Sequence, residues 1–254
     1  MSYGMWVASS GGLSENRRLE LIAHNLANVN TVGYKAERLT TSAQDFGDTL
    51  AKKMEHGGAA ANTIEQTPGV VNINTFTDFS AGPVSNTGNP LNVALRQDNQ
   101  FFVVSDPEGD SYTRAGNFTL DAERNIVTAD GAPVQGDGGP LTLPPGASAR
   151  IQSDGTVMVD GQVIGRIKVV EFQEDQLVNL KRAEGVRFKA AGDTQPQTVP
   201  ADLVTSSVEL PNVSVVEAMV EMISAQRSFE AYTKTVQTMD QLTDTAIRNT
   251  RTTA

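Results

Sequence analysis

Cysteine is absent from the 254 residues, which excludes disulfides and thiolate-held metals. Histidine is nearly absent. His24 falls in a helical pattern and His56 in a polar stretch, and no spacing joins them to each other or to carboxylates as metal ligands. Aromatic residues are few, with one Trp, four Tyr and nine Phe. No apolar run approaches the roughly 18 residues of a membrane span. The opening MSYGMWVASSGG has no basic region followed by an apolar one, so no cleavable secretory signal is expected. Positive charge is also short, with 20 Lys and Arg against 30 Asp and Glu. The whole surplus of −10 lies between residues 40 and 211, and the two ends are close to neutral. An acidic middle repels phosphate backbones and anionic lipid heads, which argues against nucleic-acid or membrane-surface binding.

What is present divides into three zones. In the first, Met5, Ala8, Gly12, Leu19, Ile22, Leu26 and Val29 fall on helical spacing, weakened by Gly11 and Gly12. Asn25, Asn28 and Asn30 then favour caps and turns, and Gly33 reads as a stop. The last zone has neither Gly nor Pro from Asn212 onward. Ser214 and Glu217 read as a capping box. Beyond them Val215, Ala218, Met222, Ala225, Phe229, Tyr232, Val236 and Met239 repeat on alternating steps of three and four, which predicts a coiled-coil-like helix about 50 Å long. Between the ends, QFFVVS (100–105), SYTRAGNFTLD (111–121), NIVTADGAPVQG (125–136), residues 149–172 and GVRFKAA (185–191) alternate apolar and polar residues between turns. This predicts an all-β middle.

The fold expected is therefore α+β: terminal helices paired in a coiled-coil-like stem, with an antiparallel, barrel- or sandwich-like domain inserted between them. The expected segments are an N-terminal helix over 1–36, an extended and partly mobile connector over 37–80, a β domain over 81–211 and a C-terminal helix over 212–254. Within the connector, KKMEHGGAAANTIEQ (52–66) is too polar to fold by itself. Burying a single seam returns on the order of 10–20 kcal/mol. Ordering some 35 residues costs more, at ~1–2 kcal/mol each. Each terminal helix therefore needs the other, and neighbouring chains as well.

No catalytic constellation emerges, and no cofactor or small-molecule substrate is expected. The glycines of GDGGP (136–140) lack the Lys-Ser/Thr of a phosphate loop and read as a hairpin turn. SDPEGD (105–110) lacks the full ligand pattern of a calcium loop and reads as a solvated hairpin tip. Phe101 and Phe102 point to opposite faces if they lie in a strand, one into a core and the other either exposed or covered by a neighbour.

AHNLANVNTVGYK (23–35) resembles the N-terminal motif of the flagellar basal-body rod and hook proteins, with His24 where an Asn is usual. LPNVSVVEAMVEMISAQRSFEAYTKTVQTMDQL (210–242) resembles the C-terminal motif of the same family. NPLNVALRQDNQFFVV and YTRAGNFTLDAERNIVTADGAPVQG resemble its shared β-domain motif, with Asp98-Asn99-Gln100 in place of the commoner Gly-x-Gly. Together these stretches span most of the chain. The GPLTLPPGA and NPLNVAL stretches resemble a proximal rod subunit more than a distal one. The resemblance implies a non-enzymatic structural subunit of the periplasmic rod, exported through the flagellar secretion apparatus without a cleavable signal. It also implies assembly with copies of itself and with neighbouring rod proteins. The expected assembly residues are Leu19, Ile22, Asn25, Leu26, Asn28, Val29, Val215, Ala218, Met222, Ala225, Phe229, Tyr232, Val236 and Met239. A β-domain glycan binder and a free-standing coiled-coil adaptor are the competing readings.

Overall fold

The structure, a computed structural model, describes residues 3–45, 68–107, 109–145, 148–192 and 194–252. It is α+β, with a helix at each end and a large β-rich middle. Two compact units share the chain. One holds residues 1–26, 37–76 and 215–254, and the other holds 27–36 and 77–214.

The first unit contains the helices Tyr3–Ala27 and Val215–Thr252. The N-terminal helix stops where asparagine replaces good helix formers. Thr31 N–H donates to Asn28 O at 3.0 Å, closing a turn in place of further helix. The C-terminal helix begins directly after Ser214. In its second half Thr233, Thr235, Thr238, Thr243 and Thr245 each donate their hydroxyl to the carbonyl four residues back, so those hydroxyls are satisfied within the helix. The stretch expected as a connector contains the strands Glu37–Asp45 and Pro68–Thr77, which pair as a two-stranded sheet. The polar stretch 52–66 lies outside the described residues, as does His56.

The second unit is built on a six-stranded antiparallel sheet. Its order is Leu180–Arg182, Arg187–Ala190, Gly109–Thr113, Gln100–Asp106, Val169–Glu171 and Gln197–Val199. Period-two alternation along the central strand sorts its side chains to two faces. Phe102 and Val104 enter one cluster with Phe118, Ile126, Val134, Ile151, Val157 and Leu203. Phe101 and Val103 enter the other with Phe79, Tyr112, Phe172 and Phe188. Both Phe rings are fully buried, so each face of the sheet carries its own core. Edge-on ring contacts hold the second cluster, among them Phe79–Phe101 at 5.4 Å and Tyr112–Phe172 at 4.9 Å. The GDGGP turn does close a hairpin, with Gly139 opposite Gly136. Ser105 and Asp106 of SDPEGD end one strand and pair with Asp110 and Gly109 at the start of the next.

Candidate functional site

Residues 27–36, expected to end the N-terminal helix, pack into the β unit instead. Gly33 makes the entry possible. Its φ of +69° is one that L side chains rarely adopt, and a Cβ there would stand 2.3 Å from Ala115 N. The Gly33 N–H donates to Glu209 O at 2.9 Å. Tyr34 follows, buried, with the Arg182 guanidinium 4.6 Å from its ring centroid.

Lys35 then runs into the interior, where its side chain is 1% exposed. Its ammonium donates to Glu209 Oε1 at 2.8 Å, to Phe79 O at 3.2 Å and to Ser80 O, which uses all three protons. Arg114, equally buried, grips the other carboxylate oxygen. Its Nη2 lies 2.7 Å and its Nε 2.8 Å from Glu209 Oε2. Arg114 Nη1 donates to Gln100 O at 2.8 Å and to Gln97 O. The Gly82 N–H completes the set by donating to Glu209 Oε1 at 2.9 Å. One carboxylate thus serves two cations, and the surplus positive charge is spread over four backbone carbonyls.

The electrostatics follow from this stoichiometry. Burial pushes the Glu209 carboxyl up, but the charges of Arg114 and Lys35 outweigh burial and hold it below the usual carboxylate value. Burial draws the Lys35 ammonium down from its ordinary value, and the nearby Arg114 charge adds to that, with Glu209 opposing both. Such a triad is expensive to desolvate and specific in geometry. Its chemistry is that of a clasp: every polar atom that could reach a ligand is already engaged by the protein.

Two asparagines secure the neighbouring backbone. In the β unit, Asn212 Oδ1 accepts from Ala36 N at 2.8 Å, while its Nδ2 donates to Asp78 O at 2.8 Å. In the helical unit, Asn25 Nδ2 donates to Glu37 O at 2.8 Å and its Oδ1 accepts from Glu37 N at 3.0 Å. The Asn25 amide reproduces a strand partner's donor and acceptor, while Asn212 ties the Ala36 and Asp78 backbones together.

The residues expected to form an assembly surface spread across both units. Ile22, Ala218 and Ala225 are buried, whereas Leu19, Leu26, Met222, Phe229, Val236 and Met239 are half-buried. Val215 and Tyr232 are exposed, and the turn residues Asn28 and Val29 are half-buried. Beside that seam the C-terminal helix carries a second apolar stripe that sequence reading passed over. Val216, Met219, Val220 and Ile223 are 49–74% exposed. At the 105–110 turn Pro107, Gly109 and Asp110 are exposed, as expected of a solvated tip, but Asp106 is half-buried and held in an ion pair. Ser111 Oγ donates to Asp106 Oδ2 at 2.6 Å and Arg187 pairs with Oδ1, which together hold its carboxyl below the usual value. Among the described residues no group of three or more His, Cys, Asp or Glu is placed to hold a metal ion, and no helix is long and apolar enough to cross a membrane.

Three family models match the chain: "Flagella basal body rod protein" over residues 5–35, "Flagellar hook protein FlgE/F/G D1 domain" over 97–159 and "Flagellar basal body rod FlgEFG protein C-terminal" over 204–249. Lys35, Arg114 and Glu209 fall one in each matched segment. Among curated relatives, the flagellar basal-body rod protein FlgG of Bacillus subtilis is 33% identical, over 95% of this chain and 97% of its own length. The FlgF of Caulobacter vibrioides is 30% identical over 97% of both chains, and that of Salmonella typhimurium 27% over 95% of both.

Proposed function

We infer the role of this chain from one premise, that it belongs to the family of flagellar basal-body rod proteins of the FlgF and FlgG type. It is a structural, non-enzymatic subunit of the rod, assembling with its own copies and with adjoining rod proteins. It acts as a proximal rod subunit, the FlgF position, exported through the flagellar apparatus to the periplasmic part of the shaft. The GPLTLPPGA and NPLNVAL stretches support the proximal position. The 33% identity to a FlgG supports the distal position as the second reading.

The observation that carries the assembly role is the exposed stripe Val216, Met219, Val220 and Ile223. An apolar face of this kind on a helix marks a protein contact. The terminal helices make an inner tube by repeating head-to-tail contacts, which generate a filament when they do not close into a ring. Torque passes through many packed contacts.

Replacing Val220 or Ile223 by Asp places a charge in that exposed stripe. Incorporation into isolated basal bodies should be lost, while the β unit keeps its unfolding midpoint. A variant that still builds a working rod refutes the assignment of that stripe to assembly.

A further inference from the structure

Glycine costs ~1 kcal/mol against alanine inside a helix, yet the N-terminal helix carries Gly4, Gly11 and Gly12. All three meet the C-terminal helix. A Cβ at Gly11 would stand 2.6 Å from Tyr232 Cε1 and 2.7 Å from Cζ, closer than real contacts allow. One at Gly4 would stand 3.0 Å from Met239 Cε, and one at Gly12 3.6 Å from Tyr232 Cβ. Gly4 and Gly11 are seven residues apart, as are Met239 and Tyr232 in the opposite order. The contacts therefore repeat once per heptad along antiparallel helices. Carried on at the same spacing, the next positions on the C-terminal helix are Ala225 and Ala218, 0% and 7% exposed. They fall opposite Arg18 and Asn25. Along this seam the small residues change helices halfway.

We propose that this exchange of small and large residues fixes which register the terminal helices adopt, with Gly11 as the receptacle for the Tyr232 ring and Gly4 for Met239. A seam of uniform residues tolerates a slip of one heptad, because every layer looks alike. Here neither slip is tolerated. A slip one way sets Tyr232 against Arg18, bulk upon bulk. A slip the other way sets Ala225 against Gly11, leaving a void. Overpacking and cavities each cost on the order of 1–3 kcal/mol or more, so the register shown is the one that satisfies all four layers. The glycines that weaken the helix as an isolated element are what admit its partner.

The cysteine-free chain allows a clean test. Gly4→Cys with Met239→Cys puts a thiol pair in one layer and leaves Gly11 and Tyr232 intact. Oxidation should close a disulfide within one chain. Adding Gly11→Leu should slow closure by about tenfold or more, and further adding Tyr232→Ala, which vacates the space, should restore it. The unfolding midpoint of the β unit should stay constant throughout. Closure indifferent to Gly11→Leu, no recovery with Tyr232→Ala, disulfides formed only between chains, or a fallen β-unit midpoint would each overturn the proposal.

Discussion

Replacing Glu209 by glutamine removes one charge and almost no volume, which isolates the electrostatic part of the clasp. In the native protein this carboxylate accepts from Lys35, twice from Arg114 and from the Gly82 N–H. Glutamine keeps one acceptor oxygen and turns an NH2 toward donors, leaving two buried cations without an anion. Removing one partner of a buried ion pair costs about 3–5 kcal/mol. For a unit of roughly 150 residues that lowers the melting temperature by about 10 °C. Lys35→Met should cost less, about 1–3 kcal/mol, because the Arg114–Glu209 pair, with two guanidinium nitrogens on Oε2, survives and the group becomes neutral. The folded Glu209 carboxyl lies below its ordinary value of 4.5. The unfolded chain therefore takes up a proton first as pH falls below that value, and the stability Glu209 confers is lost through the folded titration. Urea unfolding at pH 7 and near pH 3.5 measures both effects. The gap between native protein and Glu209→Gln should be several kcal/mol at neutral pH and should narrow in acid. A gap under about 1 kcal/mol at pH 7, or one unchanged by acidification, refutes this reasoning.

Two further substitutions probe how the β unit is held together. Gly33→Ala forces a side chain into a left-handed backbone 2.3 Å from Ala115 N. It should expose residues 28–36 to proteolysis and cost more than the ~1 kcal/mol of an ordinary glycine replacement. Phe101→Ala and Phe102→Ala should each destabilise the unit by about 3–5 kcal/mol in urea unfolding, because both rings are fully buried on opposite faces. A near-neutral result for either would mean that its face of the sheet is not a core.

Much of the molecule was written in local pattern. The unbroken apolar run FFVV in QFFVVS puts apolar side chains on both faces of a strand, and the run from Val215 without Gly or Pro dictates a long helix. Turn chemistry at 136–140 sufficed for the hairpin. The clasp was harder to see. Lys35, Arg114 and Glu209 sit in three short motifs separated by 79 and 95 residues, and no local period relates them. A lone Lys after a Tyr reads as a surface charge until the sheet brings Glu209 beneath it. Asp106 escaped for the same reason, since its partner Arg187 arrives from a strand 81 positions later. Gly11 shows a subtler limit. Helix propensity counts its cost, whereas its use appears only when Tyr232 is laid against it.

Electron cryo-microscopy of basal bodies isolated from cells carrying this chain is the most direct check on the role assigned to it. The map should place the chain in the rod, with residues 3–27 and 215–252 packed together along the inner tube. A rod without the chain, or one in which the two ends stand apart and face solvent, would contradict that role.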